Sequence, residues 1–176
     1  MKSMKMLALA GLMAAANLVS ATAGAAAGPA APSMPDAAQV QAAHDLLAAM
    51  QAEKMMRATA GMSRYPTPQQ RQAVFDKLDK VPAEQIYQRL SIPVARLLSA
   101  ETAKEMTHYY QSSYGQRVLK QTYNSGPSLF DTAPVPTAKE KVELKRPAYV
   151  KADKAFKEAE PAIRHETFVL LTAISR

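Results

Sequence analysis

Glu101, Glu105 and His108 stand at i, i+4 and i+7, which puts all three on one face of a helix. Glu105 and His108 also form a Glu-x-x-His pair, the spacing with which helical bundles hold two iron ions. That chemistry needs a second such pair and two further glutamates, and the sequence contains no second pair. The expectation is therefore a solvated helix face with no metal site. His44-Asp45 and His165-Glu166 are sequence neighbours whose side chains diverge on a helix, so neither starts a triad. No Gly-x-Ser-x-Gly elbow and no glycine-rich phosphate loop is present. The absence of cysteine excludes disulfides, a thiolate nucleophile, thiolate zinc sites and cysteine-held iron–sulfur clusters. The sequence thus points to no catalytic residue and no cofactor. It leans away from an enzyme, although its carboxylates are numerous enough to pair in a hydrolytic site.

Met50, Met55, Met56 and Met62 give one stretch a methionine-rich surface. Methionine fills cores, but its flexible thioether also adapts to varied apolar ligands. These four residues are the candidates for a ligand surface. The lysines and Arg146 between Lys139 and Lys157 are interleaved with Glu140, Glu143 and Asp153, the pattern of a solvated helix face.

The elements that would position these groups are helical. The chain has 176 residues, 48% hydrophobic and 21% charged, a globular composition. No segment alternates apolar and polar with β-branched residues, so no sheet is expected. The spacing predicts a helix from Asp36 to about Ala60, closed by Gly61. A second opens at Thr67-Pro68 with Gln70 placed for a capping box. A third carries Ile86, Leu90, Val94 and Leu97, with Pro93 set to kink or split it. A fourth is capped by Ser99 and runs to Tyr123, with a bend or break between Ser112 and Gly115. Asn124-Ser125-Gly126-Pro127 is a stop, and a loop follows to Pro136. Thr137 caps a short charged helix, Pro147 opens another, and Pro161 opens the last. The expected fold is an all-α single bundle of about six helices, one of them proline-kinked.

The first segment reads as an address. Lys2 and Lys5 precede an almost wholly apolar run from Met6 to Ala21, and small-x-small sites follow. This is the pattern of a secretory signal peptide over residues 1–23, cleaved after Ala23 or Ala25. The apolar run is shorter than the roughly 20 residues of a membrane-spanning helix. Residues 24–35, rich in Ala, Gly and Pro, form a flexible tether, and residues 36–176 form the helical domain. The formal charge is +7, and Lys2 and Lys5 supply two of those charges. In an exported chain with interspersed acids, a basic balance implies solubility and weak attraction to anionic polymers, not nucleic-acid binding.

Ile92-Pro93-Val94, then Ser99 and Glu101, then Tyr109-Tyr110-Gln111-Ser112-Ser113-Tyr114-Gly115 form a connected motif. It resembles the exported bacterial helical family known as domain of unknown function 2059. That family pairs an aliphatic-Pro-aliphatic entry and a Ser/Thr cap with Phe-Tyr-x-Ser-Pro-x-Gly. The likeness covers about Ile86 to Tyr123. Tyr109 stands where the family has Phe, and Ser113 where it has Pro. The segment Tyr149 to Ile163 resembles a worn second copy. The resemblance implies an all-helical exported domain and carries no catalytic residue with it. Physically, Pro93, Ser99, Tyr109, Tyr110, Ser112 and Gly115 read as a structural motif. An aromatic pair followed by a small residue and a glycine lets another backbone approach the turn closely.

The function expected from these readings is a non-enzymatic, envelope-associated binding or structural module in the periplasm. The alternative is a binder of an apolar ligand or peptide through the methionine-rich first helix, and the third is a weak metal or hydrolytic site. The expected partner is an envelope protein or an apolar ligand, with self-association left open.

Overall fold

A computed structural model describes residues 34–124 and 133–176. The signal-peptide segment, nearly all of the tether and the Ser125-Gly126-Pro127 stop lie outside the described residues. The described residues are all helical and contain no strand. They form eight helices rather than about six: the helices expected from Asp36 and from Ser99 are each split in two, and those expected from Pro147 and Pro161 are one.

Asp36 caps α1 (Ala37–Ala49), its carboxylate accepting from the Gln39 amide at 2.7 Å. The expected continuation to Ala60 is interrupted at Gln51, which adopts a left-handed conformation (φ 56°, ψ 57°). The chain then re-enters a helix as α2 (Ala52–Met62). The turn diverts the Lys54 amide to the Gln51 carbonyl (2.8 Å), and the Met50 carbonyl accepts from the Tyr123 hydroxyl at 2.8 Å. Gly61 does not end α2; the helix passes through it to Met62.

Thr67 caps α3 (Pro68–Leu78) with proline at its first position, as the spacing predicts. α4 (Ala83–Leu97) runs unbroken through Pro93. A proline removes one hydrogen bond; burial of Ile86, Leu90 and Val94 on both sides of it holds the helix together. Ser99 caps α5 (Ala100–Gln111) by accepting from the Thr102 amide at 3.1 Å. α5 stops at Ser112, and α6 (Ser113–Asn124) starts at once. Thr137 and Glu140 form a reciprocal capping box on α7 (Ala138–Glu143). Pro147 opens α8 (Pro147–Ser175), a single 29-residue helix. Pro161 lies inside α8 instead of opening a separate helix. Its position is exposed, so the carbonyl it leaves unpaired can meet water.

α1 packs mainly on α4 and α5, and α8 lies across α5, α4, α2 and α3. Leu46 and Leu47 of α1, Leu90 and Val94 of α4, Met106 of α5 and Ile163 of α8 are fully buried where these helices meet. The buried hydroxyls of Ser91 and Thr167 are satisfied within their own helices: Ser91 donates to the Tyr87 carbonyl and Thr167 to the Ile163 carbonyl. Gln39 of α1 closes the far end of α4 by donating to the Ala95 and Leu98 carbonyls, the latter at 3.0 Å.

Candidate functional site

α6 packs on α5 and α2 but not closely on α8, and a groove opens in the gap. Each helix gives it one stripe at helical spacing. α2 contributes Met55, Ala58, Thr59 and Met62; α6 contributes Val118, Leu119, Thr122 and Tyr123; α8 contributes Phe156, Glu160, Ile163 and Arg164. Met50, Tyr110 and Arg71 complete the wall. The cavity volume is about 640 Å³, within the roughly 300–1,000 Å³ of small-molecule sites. Three of the four wall hydroxyls donate to backbone: Thr59 to the Met55 carbonyl (2.9 Å), Thr122 to the Val118 carbonyl (2.9 Å) and Tyr123 to the Met50 carbonyl (2.8 Å). The surface offered to a ligand is therefore mostly methyl, thioether and aromatic ring.

Three of the four methionines singled out in the sequence, Met50, Met55 and Met62, line this groove. Met56 does not; it is fully buried in the core. Met62 is 67% exposed, so the methionine-rich end is part core and part groove rim. Sequence reasoning missed Tyr123, Phe156 and Arg71, and assigned Tyr110 to the structural motif only. Their helical spacing marked the aromatic residues as core, and only the separation of α6 from α8 turns that face into a wall.

Four of the six motif residues, Tyr109, Tyr110, Ser112 and Gly115, meet at the α5–α6 break. The Ser112 hydroxyl donates to the Tyr109 carbonyl (2.6 Å) and accepts from the Gly115 amide (3.1 Å), so one side chain ends α5 and caps α6. A Cβ on Gly115 would lie 2.1 Å from the Tyr109 carbonyl oxygen. The Tyr109 ring packs against Tyr110, Tyr114 and Tyr149, and Tyr110 packs edge-on to Phe156 at 6.0 Å. Burial pushes the Tyr109 phenol up to about 12 and the Tyr110 phenol higher still. Pro93 and Ser99 serve α4 and the start of α5; neither lines the groove.

A second cavity of about 430 Å³ lies between the motif and α7, lined by Tyr109, Ser112, Tyr149 and charged residues. Its Glu140, Glu143 and Arg146 are already paired. Glu140 accepts from Arg117 (2.8 and 3.0 Å), Ser113 (2.9 Å) and the Thr137 amide (2.8 Å). These donors, Arg117 foremost, hold its carboxyl well below the usual carboxylate range. Arg146 pairs with both Glu105 and Glu143.

The face of Glu101, Glu105 and His108 is thus divided. Glu105 turns to Arg146, while Glu101 and His108 are exposed. Among the described residues no three His, Asp or Glu side chains come together in an arrangement that could hold a metal ion. His44 meets a carboxylate that sequence adjacency did not indicate: its Nε2 lies 2.9 Å from Glu84 Oε1 across the α1–α4 contact. The hydrogen bond with His44 lowers the Glu84 pKa. His44 Nδ1 is buried without a hydrogen-bond partner, with Asp45 Oδ1 at 3.5 Å. His165 is exposed on α8.

No family model, no curated protein and no solved structure matches this chain.

Proposed function

We propose that this chain is an exported, non-enzymatic module of the bacterial envelope that binds an apolar ligand in the groove between α2, α6 and α8. The observation that carries the reading is the groove: about 640 Å³, walled by Met50, Met55, Met62, Tyr110, Tyr123 and Phe156, with the hydroxyls of Thr59, Thr122 and Tyr123 turned to backbone. A cavity of that size and lining suits a small apolar molecule or an apolar peptide side chain. The basic, apolar and small-residue order of residues 1–23 supports export to the periplasm. No helix among the described residues is long and apolar enough to cross a membrane. Membership of the domain of unknown function 2059 family belongs to the same proposal. It is supported by the motif Ile92 to Gly115 and by the role of Gly115, whose missing side chain admits the Tyr109 backbone.

The test is a neutral fluorescent probe, N-phenyl-1-naphthylamine, titrated into the folded protein. Gly61 lines the groove, and a Cβ built there meets nothing within 4 Å. Gly61→Leu therefore fills the groove without disturbing the core, and it gains up to about 1 kcal/mol of helix propensity. The expected result is probe binding by the native chain, weakened at least about tenfold in Gly61→Leu, with an equal or higher Tm. Absent binding, or binding indifferent to the filled groove, overturns the reading. Export is checked separately by the intact mass of protein recovered from the periplasm. A chain starting near Gly24 or Ala26 is expected, and a mass that retains Lys2 and Lys5 counts against it.

A further inference from the structure

The groove carries three charged side chains that differ in their bonding. Arg164 donates through Nε (3.1 Å) and a terminal nitrogen (2.6 Å) to one oxygen of Glu160, so this pair is neutral as a unit. Arg71 has no acidic partner among the described residues; its guanidinium lies over the Phe75 ring, 5.8 Å from the centroid. An arginine is always charged, so the groove holds one uncompensated positive charge beside an apolar wall. Arg71 is exposed, which places that charge toward solvent. The hydroxyls of Thr59, Thr122 and Tyr123 add no competing charge; the first two donate to carbonyls of their own helices and Tyr123 to the Met50 carbonyl.

Three features fix the complementary ligand. The lining on α8 runs from Phe156 to Arg164, a rise of about 12 Å at about 1.5 Å per residue, which suits a medium-length alkyl chain. The single unpaired guanidinium suits a single negative charge, and its planar fork matches a carboxylate bidentately. A phosphomonoester would bring closer to two negative charges and leave one without a partner. We infer that the ligand is a single-chain alkyl carboxylate, its tail in the methionine-rich groove and its carboxylate on Arg71. This rests on the groove being a binding site, as proposed above, and adds the chemical class of its occupant.

The experiment measures displacement of bound N-phenyl-1-naphthylamine by dodecanoate, methyl dodecanoate and dodecyltrimethylammonium. All three carry the same tail and differ in head charge. The expected result is that dodecanoate displaces the probe at a concentration at least about tenfold below either competitor, with the gap narrowing as salt is raised. In Arg71→Gln the ratio of acid to ester should fall toward one, and Arg71→Lys should keep a large part of it. Equal displacement by acid and ester, or an acid preference unchanged in Arg71→Gln, overturns the carboxylate assignment while the groove reading stands. Failure of the probe itself to bind overturns both.

Discussion

A methyl group on Gly115 would sit 2.1 Å from the Tyr109 carbonyl oxygen, 2.8 Å from the Tyr110 Cα and 2.9 Å from the Tyr109 carbonyl carbon. All three are backbone atoms, so no rotamer change relieves the contact, and the α5–α6 turn itself must open. Gly115→Ala should therefore cost about 3 kcal/mol, the upper range of overpacking, and Gly115→Val more. Denaturant unfolding of both variants checks this; a change within about 0.5 kcal/mol would mean the turn yields freely. The sequence made Gly115 conspicuous because it lies inside an aromatic motif, away from any tether or evident helix end. The same reasoning failed at Gly61. Glycine marks a helix end only when the chain needs a left-handed residue there, and α2 continues in helical geometry through Gly61. The residue that does adopt the left-handed conformation is Gln51, and nothing about a glutamine signals it.

Among the elements, the break between α5 and α6 depends on Ser112, not on its successor. Ser112 is extended (φ −68°, ψ 159°), the conformation that a following proline favours. Ser113 begins α6, and a first helical position accepts proline because its amide needs no intrahelical partner. Ser113→Pro should thus be tolerated. Rigidity gained in the unfolded chain offsets loss of the Ser113–Glu140 hydrogen bond (2.9 Å), leaving stability within about 1 kcal/mol of the native chain. Thermal unfolding tests this, and a loss well beyond that figure would show that the break needs the Ser113 side chain. Helix starts were legible because their signals are local: Asp36, Thr67, Ser99 and Thr137 each accept the amide expected of a cap. Helix ends and continuity were not. Pro93 and Pro161 look like punctuation, yet buried residues on both sides carry α4 and α8 through them. The α1–α2 break has no glycine or proline. It is held instead from a distance, by Tyr123 reaching the Met50 carbonyl.

Over the whole molecule, the aromatic residues tie stability to pH. Burial raises the phenol pKa of Tyr109 to about 12 and pushes those of Tyr87, Tyr110, Tyr123 and Tyr149 further up. A tyrosine in the unfolded chain ionises near pH 10. Below that pH both states keep their phenolic protons and the stabilisation is complete. Above it the unfolded chain releases protons that the folded chain retains, so stability falls as pH rises toward the folded values. Tm should drop by about 5 °C or more between about pH 9 and about pH 11. Phenolate absorbance of these five should rise together with loss of far-ultraviolet circular dichroism; ionisation near pH 10 with helicity intact would contradict the assignment. The groove was the least legible feature, because it depends on how far α6 stands from α8, which no local pattern encodes. Met50, Met55 and Met62 pointed toward it, but Phe156 and Ile163 are indistinguishable in sequence from ordinary core residues. The placement of α8 has a further consequence, in the order of assembly. It packs on α2, α3, α4 and α5, and it follows all of them along the chain. A chain threaded N-terminus first through a translocation pore would deliver those four helices with their shared face still open. The contacts that close it span long stretches of sequence, which slows folding. Under the export proposed above, that delay would leave the chain unfolded enough to be threaded, and α8 would complete the fold on the far side.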